Sequence, residues 1–296
     1  MEECVVLELS ANAKINLHLE ITGRRSDGYH TVDTVMQEIS ISDRISLTLL
    51  PKSEGIRLQC NVPSIPCDTR NIAYKAASKY LELSGVDSGV LIVLEKNIPH
   101  EAGLGGGSAD GAAVISGLNL LCDNALDTEQ MQRIAATLGA DVPFFLYGGT
   151  ALMGGIGTDF VERIDTPELH LVIAKPSVGI STSAAYGYLD RIHNNFTDRL
   201  KTNYSPLINA IRQNSAKAIS DSMYNVFETA ADELCAPSKE LRLFMKNNSY
   251  GALLSGSGSA VFAITDGRNH AAKLMDKLIK VFPDCYVEYA TTVNNN

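Results

Sequence analysis

Apolar and polar residues alternate strictly from Ala13 to Ile21, a pattern typical of a β-strand. The apolar positions are Ile15, Leu17, Leu19 and Ile21, and the polar positions are Lys14, Asn16, His18 and Glu20. Successive side chains of a strand point to opposite faces, so the two sets would lie on opposite faces of the sheet. On this pattern alone we expect the apolar face to be buried and the polar face to meet solvent.

Apolar periodicity predicts further strands and helices along the rest of the chain. Strands are predicted at residues 32–39, 44–50, 90–94, 169–174, 260–264 and 285–291. Helices are predicted at residues 72–83, 108–121, 128–138, 182–191, 206–214, 237–247 and around 271–278. The helix from Thr128 has the clearest ends, because Asp127 and Gln130 form a capping-box pattern and Gly139 is a natural stop.

A glycine cluster, Gly103-Leu104-Gly105-Gly106-Gly107-Ser108, lies between a predicted strand and the helix predicted from Ser108. Glycines lack a Cβ atom, so the backbone N–H groups can point at a bound group. The start of a helix adds unpaired amides and the positive end of the helix dipole. We interpret the cluster as a cradle for the phosphates of a nucleotide such as ATP. A tight turn with close helix packing would be the purely structural explanation.

Two common nucleotide motifs do not fit this cluster. A Walker A motif would have Lys followed by Ser or Thr after the last glycine. A Rossmann fingerprint would have glycine where Ser108 stands, and an acidic residue at the end of a second strand about 20 residues later. A Rossmann-type nicotinamide oxidoreductase is an alternative of another class. The missing third glycine and the missing acidic residue both argue against it.

The composition is that of an acidic globular protein. The 296 residues suffice for one large or two medium domains, and 45% hydrophobic residues suffice for a core. The net charge of -9 argues against nonspecific binding of nucleic acid. No apolar run approaches the roughly 18 residues that span a bilayer, and the start Met1-Glu2-Glu3 lacks the basic region of a signal peptide. We expect a cytoplasmic protein that acts on a small molecule, without nucleic acid, membrane or obligatory protein partner.

The cysteines do not indicate a metal site. Six of them are scattered along the chain without a C-x-x-C pattern, which is typical of isolated thiols in a reducing compartment. Cys60 and Cys67 have no histidine nearby, which disfavours zinc. The sequence does not identify metal ligands.

Three further motifs are compatible with more than one interpretation. Asp27-Gly28 predicts a hairpin turn, and Tyr29 and His30 after it either connect two strands or hold a planar ring. Asp141 follows a predicted helix, where a turn or cap residue is common. The second glycine cluster at residues 255–259 is either a turn or a second backbone approach to phosphates.

Taken together, the motifs resemble the GHMP kinase superfamily, in the same order along the chain. The matching stretches are Ala13-Lys14-Ile15-Asn16-Leu17, Pro99-x-x-x-Gly103-Leu104-Gly105-Gly106-Gly107-Ser108-Ala109 and Ser255-Gly256-Ser257-Gly258. Asp27-Gly28-Tyr29-His30 and Leu138-Gly139-Ala140-Asp141-Val142-Pro143-Phe144 make it most similar to the branch that phosphorylates a cytidine-diphosphate-linked methylerythritol in non-mevalonate isoprenoid synthesis. The resemblance runs over essentially the whole chain.

The resemblance implies an α+β fold of two domains. Residues 1–160 would form an ATP-binding domain of the ribosomal protein S5 domain 2-like type. Residues 161–296 would form a ferredoxin-like domain that binds the substrate.

The resemblance also implies roles for single residues. Those implied to bind ATP are Asn71 and Lys96, near the adenine, with Pro99, Gly103, Leu104, Gly105, Gly106, Gly107 and Ser108 along the loop that holds the phosphates. Those implied to bind the substrate are Tyr29, His30 and Tyr186 at the cytosine ring, and Lys14, Asn16, Asp141 and Thr182 elsewhere. Asp141 would act as general base, and Lys14 would pair with it and touch the transferring phosphoryl group. Mg²⁺ would accompany ATP and offset phosphate charge.

Two departures from the superfamily pattern accompany the resemblance. His100 and Glu101 stand where small or apolar residues are more usual, and we expect Glu101 to face solvent because its charge would oppose phosphate. Tyr186 replaces a frequent phenylalanine, and it can still stack on a ring. Two alternatives stay open: a GHMP kinase for another alcohol such as homoserine or mevalonate, and a non-catalytic binding module. The intact Lys14, Asp141 and loop glycines speak against the second.

Overall fold

A computed structural model describes residues 5–193, 196 and 202–294 of the chain. The strands in these residues are β1 (Val6–Arg24), β2 (His30–Leu50), β3 (Ile56–Cys60), β4 (Gly89–Glu95), β5 (Thr150–Gly154), β6 (Asp159–Arg163), β7 (His170–Lys175), β8 (Tyr224–Asn225), β9 (Gly251–Leu254), β10 (Val261–Thr265) and β11 (Tyr286–Thr291). The helices are α1 (Ile72–Ser84), α2 (Gly106–Leu121), α3 (Thr128–Leu138), α4 (Val142–Tyr147), α5 (Thr182–Ile192), α6 (Ser205–Arg212), α7 (Ala216–Ser222), α8 (Glu228–Leu234), α9 (Ala236–Lys246) and α10 (Arg268–Val281). This mixture of helices and strands is the predicted α+β class.

The chain divides into two compact units that interleave in sequence. The first unit contains the described residues up to Ala13 together with Ile41–Ile98 and Gly105–Tyr147. The second contains Lys14–Ser40, Pro99–Leu104 and the described residues from Gly148 onward. Each unit thus combines several segments, whereas the domains predicted at 1–160 and 161–296, which stay a prediction, follow a single cut in the sequence.

In the first unit, helices α1, α2 and α3 pack with a sheet around one apolar core. Strand β4 pairs in parallel with β3 and antiparallel with the second half of β2. Helices α1 and α2 approach closely at Gly111, where a Cβ atom would lie only 2.6 Å from Cγ2 of Ile72. Glycine is therefore required there for packing, and the contact holds the start of α1 beside α2.

The second unit contains a four-stranded antiparallel sheet in the order β11-β7-β10-β9. Its strands β9 and β10 are buried along their whole length, and helices α8, α9 and α10 contribute to the same core. The unit also contains the second half of β1, which pairs in parallel with β8, and the first half of β2, which pairs with β5. The polar residues of β1 discussed below lie in this part.

Most of the predicted elements are confirmed within a few residues. The capping box of α3 forms as predicted, with Gln130 N–H donating to Asp127 Oδ1 at 2.8 Å and Asp127 N–H donating to Gln130 Oε1 at 2.9 Å. Caps of this kind stabilise a helix by about 1 kcal/mol. The elements that the pattern did not predict are β3, α4, β5, β6, α7, β8, α8 and β9, most of which are too short to show a period.

Two predicted boundaries are wrong. The strands predicted at 32–39 and 44–50 form the single strand β2, since the polar residues between them stay in the sheet. Helix α2 begins at Gly106 and not at Ser108, so Ser108 is not the N-cap. Gly105 is the N-cap instead, with a φ of 73° that favours glycine, and it turns the chain into the helix earlier than a serine cap would.

Candidate functional site

Three of the four glycines at residues 103–107 have a structural reason. Gly103 and Gly105 have φ of 74° and 73°, in the left-handed region. A Cβ atom at Gly103 would lie 2.1 Å from the carbonyl oxygen of Ser255. A Cβ atom at Gly106 would lie 3.1 Å from Cγ2 of Ile98. At these three positions the turn and close packing account for glycine without any ligand.

Gly107 has no such structural reason. It is exposed in the first turn of α2, without a left-handed φ, and a Cβ atom there would make an ordinary contact of 3.7 Å with Cδ1 of Ile72. Glycine in a helix is less stable than alanine by about 1 kcal/mol. The first hydrogen bond of the helix runs from Ala109 N–H to Gly105 at 2.9 Å, so the preceding amides are those that a helix leaves unpaired. The bare backbone at Gly107 is therefore suited to close approach by an anion.

A buried ion cluster joins the strand before the loop to α2. Lys96 Nζ lies 2.5 Å from Oδ2 of Asp43 and 2.5 Å from Oδ2 of Asp110. Asp43 Oδ1 also accepts hydrogen bonds from the N–H groups of Asn97 at 2.6 Å and Ile98 at 2.9 Å. Sequence reasoning missed both aspartates, since neither belongs to a spacing pattern. Asp43 thereby stabilises the chain just before the loop, and Asp110 ties it to α2.

The charges of this cluster determine what Lys96 can do. Burial by itself would lower the pKa of Lys96, but Asp110 and Asp43 outweigh it and raise that pKa, so the amine stays charged. Burial raises the pKa of Asp110, and Lys96 offsets this only in part. The implied contact of Lys96 with adenine stays a prediction, and it would have to use an amine that two carboxylates already hold.

The other residues of the first unit that the resemblance implies for the site lie around the N-terminal end of α2. Asn71 caps α1, accepting from Ala73 N–H at 2.9 Å, and the next residue, Ile72, is the neighbour of Gly107. Asp141 is half-buried directly before α4. The turn that contains it passes close to α2, because a Cβ atom at Gly139 would lie 4.0 Å from Oγ of Ser108. Asp141 therefore lies on a turn next to the first turn of α2.

The polar face of β1 is buried. The expectation from alternation, that this face meets solvent, is therefore wrong. Lys14 is 3% exposed and Asn16 is 1% exposed. Lys14 Nζ donates to Asn16 Oδ1 at 2.7 Å, and Asn16 Nδ2 donates to Thr34 Oγ1 at 2.8 Å. Such hydrogen bonds offset the loss of water around buried polar groups. On the same face, burial lowers the pKa of His18 to about 4, so this ring is neutral at pH 7.

The second glycine cluster supports the first half of the glycine loop. Ser255 Oγ donates to the carbonyl oxygen of Gly103 at 3.0 Å, and Ala260 N–H donates to that of Ala102 at 3.1 Å. A Cβ atom at Gly256 would lie 3.3 Å from Nζ of Lys14. Of the two interpretations of this cluster, these contacts support a structural turn. The phosphate interpretation stays a prediction.

The residues implied for the cytosine ring meet at helix α5. The His30 ring stacks on Tyr186, with centroids 4.7 Å apart, and its Nε2 lies 2.7 Å from Oδ1 of Asp190. His30 and Tyr186 contact each other, so no third ring lies between them in this conformation. Tyr29 is 63% exposed, on the turn before β2. Asp190 was missed by sequence reasoning, although it lies one helical turn after Tyr186.

The remaining residues that the sequence singled out have defined places in the structure. Glu101 is exposed, as predicted, and Thr182 is the first residue of α5, with its Oγ1 2.8 Å from Oγ of Ser257. Pro99 and Leu104 lie in the same unit as Lys14, whose backbone N–H donates to the Leu104 carbonyl oxygen at 2.9 Å. Within the described residues, no three His, Cys, Asp or Glu side chains come together as a metal site, and no helix is long and apolar enough to cross a membrane.

Comparisons with known proteins identify similar sequences over nearly the whole chain. The GHMP kinases N terminal domain model matches residues 71–149, and the GHMP kinases C terminal model matches residues 207–284. The 4-diphosphocytidyl-2-C-methyl-D-erythritol kinase of Exiguobacterium sibiricum is 39% identical over 94% of this chain and 96% of its own length. The enzyme of that name from Desulfitobacterium hafniense is 41% identical over 90% of each chain.

Solved structures agree with the sequence matches. A crystal structure of 4-(cytidine 5'-diphospho)-2C-methyl-D-erythritol kinase has a TM-score of 0.80 and 32% identity, covering 97% of this chain and all of its own, 100%. The mevalonate kinase of L. major has a TM-score of 0.79 at 17% identity, covering 100% of this chain and 98% of its own, which shows a shared fold. These matches confirm the fold implied by the resemblance.

Proposed function

The chain belongs to the GHMP kinase family, and from this premise we propose that it transfers the γ-phosphoryl group of ATP to the 2-hydroxyl of 4-diphosphocytidyl-2-C-methyl-D-erythritol. The single observation that carries this proposal is the 39% identity, over 94% of the chain, to an enzyme named for that substrate. The reaction would belong to the non-mevalonate route to isoprenoid precursors. A nicotinamide oxidoreductase is excluded, because the family is one of small-molecule kinases.

In this proposal the ATP phosphates lie against the first turn of α2. The bare backbone of Gly107, the amides at the helix start and the helix dipole support that assignment. Mg²⁺ would accompany ATP and be chelated largely by the phosphates, as is usual for this ion. The described residues include no cluster of three or more ligating side chains, so we assign no protein ligand to it.

Lys14 and Asp141 carry the chemistry of the proposed transfer. Phosphoryl transfer depends mainly on positioning and on stabilising the charge of the phosphate oxygens. Asp141 accepts the proton of the attacking 2-hydroxyl, and the buried ammonium of Lys14 stabilises charge on the transferring group. The pairing of these two residues stays a prediction. Tyr29, His30 and Tyr186 would hold the cytosine, while Asn16 and Thr182 would contact the rest of the substrate.

Replacing Gly107 by alanine separates the phosphate role of the loop from its structural role. We expect unchanged or slightly higher stability, by up to about 1 kcal/mol, because alanine favours helix and has room here. We also expect KM for ATP to rise about tenfold, since the methyl group would meet a phosphate. Gly187→Ala is the matched control: it adds a methyl group to α5, where a Cβ atom has nothing within 4 Å, and should leave KM for ATP unchanged. An unchanged KM in Gly107→Ala would place the phosphates elsewhere.

The substrate is tested by ADP release against a panel of alcohols. We expect turnover with 4-diphosphocytidyl-2-C-methyl-D-erythritol and little with homoserine, mevalonate or the methylerythritol phosphate that lacks cytidine. The structures of homoserine and mevalonate kinases share only the fold with this chain, at 21% and 17% identity. Faster turnover of one of those alcohols would contradict the proposed substrate while leaving the kinase family intact.

A further inference from the structure

Thr34 forms the far end of a buried chain of hydrogen bonds that reaches Lys14. Thr34 Oγ1 donates to the carbonyl oxygen of His18 at 2.7 Å and accepts from Nδ2 of Asn16 at 2.8 Å. Asn16 Oδ1 then accepts from Nζ of Lys14 at 2.7 Å. Thr34 itself is 0% exposed, so water does not compete for its hydroxyl group.

The chemistry of these groups fixes the direction of every bond. A carbonyl oxygen can only accept, so the single hydroxyl proton of Thr34 is committed to His18. The hydroxyl oxygen can then only accept, and it takes a proton from the amide nitrogen of Asn16. The amide oxygen of Asn16 must therefore point the other way, toward Lys14. With the amide reversed, an NH₂ group would face an ammonium, and two donors would oppose each other.

Lys14 also contacts main-chain groups, in addition to the Asn16 amide. Its backbone N–H donates to the carbonyl oxygen of Leu104 at 2.9 Å. The backbone of Gly256 lies beside its amine, and Asn225 Nδ2 holds that backbone by a hydrogen bond of 2.8 Å to the Gly256 carbonyl oxygen. The backbone of Lys14 is thus anchored by main chain, and the side chain of Asn16 supplies an acceptor for its ammonium.

We propose that Thr34 is a positioning residue for phosphoryl transfer, which fixes the Lys14 ammonium by setting the orientation of the Asn16 amide. The inference rests on the proposed function, because the ammonium acts on the transferring phosphoryl group. Thr34 needs no contact with either substrate for this role. The hydroxyl group matters because it fixes the orientation of the Asn16 amide, and not only because it adds a hydrogen bond.

The first test compares Thr34→Val with Thr34→Ser. Valine keeps the shape and suits a strand, but it removes the hydroxyl group, whereas serine keeps the hydroxyl group. We expect Thr34→Val to lower kcat about 10- to 100-fold, as misplacement of a catalytic group does, with KM for ATP little changed. Thr34→Ser should restore most of the rate. A kcat of Thr34→Val within about twofold of the unmodified enzyme would overturn the proposal.

Thr150→Val tests whether a loss of stability by itself would lower kcat. Thr150 is equally buried, on β5, and its hydroxyl group bonds Gln37 rather than the Asn16 chain. We expect a fall in melting temperature similar to that of Thr34→Val, with kcat within about twofold of the unmodified enzyme. Equal losses of kcat in both variants would show that Thr34 acts only through stability and would overturn the proposal.

The orientation argument is tested in an Asn16→Asp background. A carboxylate presents an acceptor whichever way it is turned, so it needs no neighbour to orient it. Thr34→Val should therefore lower kcat much less in Asn16→Asp than in the unmodified enzyme, and an equal loss would overturn the orientation argument. Lys14→Met, measured in parallel, tests the proposed function separately. If Lys14→Met keeps full kcat, the role of Lys14 fails; if only Lys14→Met loses kcat, the inference about Thr34 fails alone.

Discussion

Asp141→Asn is expected to lower kcat by at least about 100-fold, the size of effect typical of a lost general base. Asparagine has nearly the same shape and cannot take a proton from the attacking hydroxyl group. Asp141 lies on the turn next to the first turn of α2, where the proposal puts the phosphates. The rate is measured as ADP release at saturating ATP and alcohol, so that changes in binding do not enter.

The control for this variant is Asp123→Asn in the same unit. Asp123 is exposed and has a φ of 53°, a conformation that asparagine tolerates. Asp123→Asn removes one negative charge, as Asp141→Asn does, and it should leave kcat unchanged. A folded Asp141→Asn enzyme with nearly full kcat would remove Asp141 from the role of base and leave substrate positioning as its only role.

Gly103→Ala is expected to destabilise the protein by several kcal/mol. A left-handed φ is unfavourable for alanine by about 1–2 kcal/mol. The Cβ atom would also lie 2.1 Å from the carbonyl oxygen of Ser255, and relieving such an overlap costs about 1–3 kcal/mol more. The free energy of unfolding in urea measures the sum. Activity should fall as well, because Gly103 and Ser255 hold each other in place.

Gly85→Ala isolates the backbone strain from the overlap. Gly85 ends α1 with a φ of 67°, close to that of Gly103, and a Cβ atom there has nothing within 4 Å. Gly85→Ala should therefore lower the free energy of unfolding only by the backbone strain, about 1–2 kcal/mol. If both variants were destabilised equally, the overlap with the Ser255 carbonyl oxygen would add nothing to the loss of stability.

Local patterns in the sequence predicted the elements well where periodicity was long. The capping box at Asp127 and Gln130 and the stop at Gly139 depend on neighbours along the chain, and all three were found. Short elements such as β8 and α4 were missed, because two to six residues do not define a period. The start of α2 was misplaced by two residues, since a left-handed glycine cap leaves the same letters as a longer glycine loop.

The candidate site was predicted in part. The motifs pointed to Lys14, Asn16, His30 and the loop glycines. They did not indicate Asp43, Asp110, Asp190 or Thr34, each of which acts through a hydrogen bond to a residue distant in sequence or in another element. A pattern of spacing carries no information about such a bond, because its partner is brought close only by folding.

By itself the sequence determined the family and the α+β class, since these follow from residue types in a fixed local order, and it predicted a phosphate-binding role for the loop. Only the tertiary structure decided that the polar face of β1 is buried, because alternation separates two faces without saying which partner covers each. It alone also distinguished Gly103, which packing requires, from Gly107, which packing leaves open for a ligand. The physical reason is the same in each case: burial and steric contact are properties of residues that meet in space, and their neighbours along the chain do not set them.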